Sequence, residues 1–205
     1  MVESVKLWPT SFEFTFDWTQ SFRSNMTEHI KPLFAGNPIR YLEVGIFEGC
    51  SGCWMIENVL TDPRSSYTGI DQWGVIDTNI DNPEPGNVIR ARAIKNFRKL
   101  PDQSKISIIH SPSEPALMEM RGVNRSAFEI IYIDGSHKGA DVLGDSLLSW
   151  PLLANGGVMI WDDYGHPRYP GVRAAIDSFL GVMDIDAPGS FTRMFRNMHI
   201  AIQKK

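Results

Sequence analysis

The sequence has little of what would place it in several large protein classes. Its 205 residues contain two cysteines, too few for the disulfide frameworks of small secreted domains. No apolar run approaches the roughly 20 residues that a membrane-spanning helix needs. The amino terminus, where Glu3, Lys6 and Glu13 stand among aromatic residues, lacks the apolar core of a signal peptide. No membrane partner is expected, and the expected location is the cytoplasm. Excess positive charge is also missing: 20 Lys and Arg stand against 24 Asp and Glu, a formal net charge of −4. Non-specific nucleic-acid binding rests on neutralising phosphates, so nucleic acid is not an expected partner. The basic residues that do cluster, Arg90, Arg92, Lys95, Arg98 and Lys99, have helical spacing and read as a solvated face. Internal repeats and low-complexity tracts are absent.

The two cysteines, Cys50 and Cys53, form a lone C-x-x-C. Thiols at a helix start can be redox-active through lowered pKa values. Zinc is disfavoured, because no second pair of Cys or His follows at suitable spacing. The plainer reading is two small residues packing where a helix meets a sheet.

What is present suits one compact domain: 42% hydrophobic and 21% charged residues, both ordinary for a globular protein. Residues 1–38 carry Trp8, Phe12, Phe14, Phe16, Trp18 and Phe22 and turn helical towards Phe34. They read as an appended segment that packs on the core, shapes a substrate mouth or meets a second copy of the chain; Gly36-Asn37-Pro38 ends it. Five apolar runs follow, Ile39–Val44, Ser66–Ile70, Ile106–Ile109, Phe128–Ile133 and Gly157–Trp161. Bounded by turn residues and separated by helical patterns, they predict parallel strands buried on both faces. Cys53, Ile56 and Leu60 make one helical stripe; Ala140, Leu143, Leu147 and Trp150 make another. Asn155-Gly156-Gly157 reads as a helix stop before the fifth strand. A helix over Val172–Leu180 and extended structure over Phe191–Ile202 complete an α/β, doubly wound, Rossmann-like pattern over residues 39–205. The Gly74–Asn87 stretch, rich in Asp, Pro and Gly, is the candidate lid.

In such a fold ligands sit beyond the carboxyl ends of the strands, where the strand order reverses. The first strand ends in Glu43-Val44-Gly45-Ile46-Phe47-Glu48-Gly49. The pattern is E-x-G-x-x-x-G, with Phe47 where a dinucleotide turn needs its middle glycine, which disfavours NAD and FAD. Asp71 ends the second strand at about the distance where an acid meets a ribose in nucleotide-binding folds, and the adjacent Trp73 is placed to cover a nucleoside. Ser111, after the third strand, offers a small polar group to an adenine. The fourth strand runs into Asp134-Gly135-Ser136-His137 and the fifth into Asp162-Asp163-Tyr164. Carboxylates gathered at one sheet edge repel unless a cation or hydrogen bonds compensate. Oxygen donors favour a hard divalent ion, Mg2+ before Mn2+ or Ca2+. His137 is a candidate general base, with a structural loop histidine as the alternative.

With these residues, over roughly 15–180, the chain resembles the class I S-adenosylmethionine (SAM) dependent methyltransferases. More narrowly, it is similar to the group holding the macrocin and mycinamycin sugar O-methyltransferases and the cephalosporin-hydroxylase-like proteins. The carriers are Tyr41–Gly49, Ile133–His137 and Leu152–Gly157 leading to Asp162-Asp163-Tyr164. Two positions depart from the family pattern: Cys50 replaces a frequent Arg or Lys, and Lys138-Gly139 replaces a frequent aromatic. The resemblance implies a mostly parallel seven-stranded sheet and SAM contacts at Glu43, Gly45, Gly49 and Asp71. It also implies a metal at Asp134, Asp162 and Asp163, with His137 as base. Trp73, Ser111 and Asp134 complete the expected cofactor set, and Asp134 joins His137 in the catalytic pair. The implied reaction is methyl transfer to a hydroxyl of a sugar or polyol-bearing small molecule. A SAM-fold binding or scaffold protein without turnover is the alternative.

Overall fold

The computed structural model describes residues 11–74, 84–123 and 126–205, so Trp8 and most of Gly74–Asn87 lie outside the described residues. Helix α1 (Gln20–Asn25), a π-helical turn (Met26–Ile30) and α2 (Lys31–Phe34) lead into β1 (Arg40–Val44). Then come α3 (Cys50–Asn58), β2 (Ser66–Asp71), α4 (Gly86–Phe97), β3 (Ile106–His110), α5 (Ser113–Val123) and β4 (Phe128–Ile133). Helix α6 (Gly139–Ser149), a 3-10 turn (Trp150–Leu152), β5 (Leu153–Trp161), α7 (Pro170–Asp186), β6 (Phe191–Arg196) and β7 (Ile200–Lys204) complete the chain.

The strands form one seven-stranded sheet in the order β3-β2-β1-β4-β5-β7-β6. The first five pair in parallel, and β7 runs antiparallel between β5 and β6. Alternate residues of a strand face opposite sides, and here both sides are apolar. Tyr41, Ile130, Tyr132, Val158 and Ile160 join a core with Phe22, Met26, Ile30, Phe34, Trp54 and Phe97. Leu42, Val44, Ile131, Ile133, Met159 and Trp161 join a second core with Val142, Val172, Ile176 and Phe179. The strand order reverses between β1 and β4, which places the switch point at Gly45 and Asp134.

The expected fold class is the one observed, and several local expectations are corrected. Asn155-Gly156-Gly157 does not stop a helix. Leu153 pairs with Phe128 and Val158 with Ile130, so the intervening residues bulge out of β5, with Gly156 at φ 78°. The buried face of α6 is Val142, Asp145, Ser146 and Ser149; of the expected stripe Leu143 and Trp150 pack against the core, whereas Ala140 and Leu147 are exposed. Small side chains serve there: Ser146 Oγ accepts from Trp161 Nε1 at 2.9 Å, and a Cβ on Gly139 would come within 2.6 Å of the Gly171 carbonyl oxygen. The extended carboxyl end is a hairpin of two strands.

The basic face of α4 is also not simply solvated, because the amino-terminal segment docks on it. Lys95 and Lys99 pair with Glu13 at 2.7 and 3.3 Å, and Asn96 holds the Glu13 backbone at both its N–H and its carbonyl. Arg92 bridges Glu48 and Glu84. Phe12 and Phe22 are buried, whereas Trp18 is exposed, stacked on Phe16 at 5.0 Å and 5.4 Å from the Phe47 ring.

Candidate active site

The turn after β1 is shaped by backbone contact. Gly45 has φ 92°, and a Cβ there would lie 2.0 Å from the Asp134 carbonyl oxygen, so only glycine lets the turn press against the end of β4. Gly49, at φ 83°, precedes α3, where a Cβ would meet the Phe97 ring at 2.8 Å. Hydrogen bonding continues past the strand ends: Gly45 N donates to Ile70 O at 2.9 Å and Asp134 N to Val44 O at 2.8 Å.

Asp71 sits at this turn as expected, with a second role the sequence did not suggest. Its Oδ2 accepts from the N–H groups of Ile46 and Phe47, both at 2.8 Å, and its Oδ1 from Trp73 N at 2.7 Å. The Trp73 indole Nε1 donates to the Phe47 carbonyl at 2.9 Å, and the residue is buried at φ 41°. Trp73 therefore braces the turn. Ser111 N donates to Asp71 O at 3.1 Å, which brings the end of β3 to the same corner.

Glu43, another expected cofactor residue, faces inward from β1. It is fully buried beneath α3 and accepts from Ser51 Oγ and Tyr67 Oη. Desolvation pushes its carboxyl up to about 7, against the lowering effect of those two hydrogen bonds. A Cβ at Gly52 would come within 2.7 Å of Glu43 Oε2, so the acid supports the underside of the turn.

The chemical end gathers the expected acids. Tyr132 Oη, on β4, donates to Asp162 Oδ2 at 2.7 Å and lies 3.3 Å from Asp134 Oδ2. Burial, then the charges of Asp162 and Asp163, hold the Asp134 carboxyl well above the usual carboxylate range. Asp163, at φ 57°, places Oδ2 3.0 Å from His137 Nε2. Asp162 Oδ1 accepts from Asp163 N at 2.7 Å and lies 3.1 Å from His199 Nε2. Among the described residues no group of three or more His, Cys, Asp or Glu side chains already stands in an arrangement that could hold a metal ion.

Sequence reasoning missed three contributors. Tyr169 stacks on His137 with ring centroids 3.9 Å apart and planes 14° apart, and His166 stacks on Tyr169 at 4.6 Å. His199 approaches from the turn between β6 and β7. The first two lie only a few residues past Asp163, where a short aromatic-rich loop was the available signal; His199 carried none. The C-x-x-C pair shows no redox poise: burial pushes the Cys50 thiol up to about 11 and the Cys53 thiol above its ordinary value, so packing is the supported reading.

Residues 42–164 match the methyltransferase-domain family. An uncharacterised protein of Acanthamoeba polyphaga mimivirus is 24% identical over 175 residues, covering 84% of this chain and 72% of that protein. The MycE methyltransferase from the mycinamycin biosynthetic pathway, solved with Mg, SAH and mycinamycin VI, superposes with a TM-score of 0.61 at 16% identity. That match covers 92% of this chain and 50% of MycE, so the chain spans about half of that enzyme's length. The O-methyltransferase NovP gives a TM-score of 0.62 at 16% identity over 82% of this chain and 72% of NovP. TomG from Streptomyces achromogenes, solved with SAM, gives 0.59 at 14% identity over 81% and 73%. At such identities the solved structures speak for the fold, and the family match speaks for the class. The chain belongs to the methyltransferase-domain family, and the resemblance of its motifs to class I SAM-dependent methyltransferases is borne out.

Proposed function

We propose that the chain is a SAM-dependent O-methyltransferase acting on a hydroxyl of a sugar or polyol-bearing small molecule. In this reading residues 39–205 are the catalytic unit and residues 1–38 an appended segment. One observation carries it: the Gly45 turn is in backbone contact with Asp134, the strand end that delivers the first acid. A methyl donor on that turn and an acceptor at the acids are then neighbours, and proximity with alignment is most of what an in-line methyl transfer requires.

The turn from Gly45 to Gly49 receives the donor, and Asp71 keeps one acceptor site on Oδ1 for a ribose hydroxyl while holding three backbone amides. His137 takes the acceptor's proton. Tyr169 fixes the plane of the imidazole, and Asp163 stabilises its protonated form. Asp134, Asp162 and Asp163 are the residues that would hold Mg2+, or Mn2+ or Ca2+. Carboxylate oxygens are the donors a hard cation takes, and Tyr132 Oη touches Asp134 Oδ2 at 3.3 Å and Asp162 Oδ2 at 2.7 Å, which sets these two acids side by side. Such a cation supplies acidity to a hydroxyl and fixes a vicinal pair of oxygens.

The test is calorimetry with SAM and S-adenosylhomocysteine, joined to a turnover screen over sugars, catechols and glycosylated metabolites with and without divalent cations. Cofactor binding together with cation-dependent methylation is the expected result. Cofactor binding with no turnover on any hydroxylated acceptor would instead support the silent scaffold.

A further inference from the structure

Behind Asp162 runs a buried chain of polar side chains that ends on the amino-terminal helix. His199 is 1% exposed and Asn25, at the end of α1, is 6% exposed. The His199 backbone N–H donates to Asn197 Oδ1 at 2.9 Å. A backbone N–H can only donate, so this contact fixes which way the Asn197 amide faces. Asn197 Nδ2 then donates to Asn25 Oδ1 at 2.8 Å, and Asn25 Nδ2 donates back to Asn197 Oδ1 at 3.1 Å. The same Asn25 Nδ2 lies 3.2 Å from His199 Nδ1. Facing a donor, Nδ1 must accept, which leaves the ring proton on Nε2.

That Nε2 is buried without an aligned hydrogen-bond partner among the described residues, yet it stands 3.1 Å from Asp162 Oδ1. The ring is set between Phe22 and Tyr132, with centroids 6.2 and 6.3 Å away. With Asp163 N also on Oδ1 and Tyr132 Oη on Oδ2, the Asp162 carboxylate is approached by donors at both oxygens. Groups behind a site residue that lock its rotamer are what keep it in register with the reacting atoms.

We propose that His199 is a positioning residue for Asp162, presenting Nε2–H to the carboxylate because Asn25 and Asn197 set its tautomer, so that docking of α1 is transmitted to the acid cluster. This rests on Asp162 belonging to the active site, and the experiment separates the two ideas. Nitrogen NMR of protein labelled with 15N-histidine reads the tautomer without any acceptor, with the His199→Gln spectrum identifying the resonance. The wild-type ring is expected to be protonated at Nε2 and bare at Nδ1. In Asn25→Asp the new carboxylate can only accept, so Nδ1 gains a proton. Turnover should then fall about 10–100-fold, with SAM affinity held within about twofold. His199→Gln, which keeps an amide donor, should recover part of the rate that His199→Ala loses, and this pair carries the test if Asn25→Asp fails to fold. A wild-type ring protonated at Nδ1, or unchanged turnover after the proton has moved, overturns the proposal. Equal losses in His199→Gln and His199→Ala also overturn it. Absence of methyl transfer from the wild type counts against the proposed function alone, because the ring is still read.

Discussion

At the β1–β2 end of the sheet edge the acids answer to the protein's own backbone, whereas at the β4–β5 end they are gathered against one another. Asp71 holds three amide hydrogens and Glu43 is sealed under a helix, so the acids of that corner mainly shape the turn. Burial and the charges of Asp162 and Asp163 keep the Asp134 carboxyl raised, and two imidazoles stand against Asp162 and Asp163. The first end is built for shape and the second for charge, the division that the proposed donor and acceptor sites rest on.

Four substitutions break or sharpen this contrast. Gly45→Ala attacks the contact shared by both ends. Placing a Cβ 2.0 Å from the Asp134 carbonyl at positive φ is expected to cost roughly 3 kcal/mol or more. Denaturant unfolding should show the loss, and SAM binding should vanish with it. Asp163→Asn addresses the charged end alone. Turnover should drop at least about 100-fold while calorimetric SAM affinity stays within about twofold; equal losses would erase the division between the ends. Asp71→Asn is its mirror image. One face of the new amide opposes backbone N–H groups, so SAM should bind about tenfold more weakly with turnover at saturating SAM retained.

Glu43→Gln has the smallest effect on activity, because the carboxyl it replaces is closed to the cleft. Its signature is in stability. The folded protein holds the Glu43 proton up to about 7 against an ordinary 4.5, so the native state binds more protons than the unfolded chain between those values. Wild-type stability should therefore fall as pH rises from about 4.5 to about 7, and Glu43→Gln should flatten that fall in denaturant titrations at pH 5 and 8.

The same contrast explains what was legible in the sequence. Strand ends, the glycine turn and the acids that follow strands are local patterns, and Asp71, Asp134, Asp162 and Asp163 were placed from them. The buried face of α6 was misread because Ser146 and Ser149 pack there as small residues, against the expectation that Leu147 would be inside. The resemblance implied a cofactor contact at Glu43, and strand alternation points its side chain with Tyr41 into the core. Asn25 and His199 lie 174 residues apart in the chain, and no spacing rule couples them. Backbone-defined features leave glycines in register, whereas side-chain networks that cross the fold leave single, ordinary polar residues.

The π-helical turn at Met26–Ile30 bears on how the amino-terminal segment can change length. Phe22, Met26, Ile30 and Phe34 are all buried at strict four-residue spacing, which overshoots an α-helical turn by about 40° at each step. The wider turn unwinds the helix and offsets part of that overshoot, so that all four side chains reach one core while Asn25 still reaches His199. Removing one residue from the turn would restore a regular helix and rotate everything before it by about 100°. The segment can therefore accept new side chains along its outer face, but its length between Asn25 and Phe34 is fixed by rotational phase.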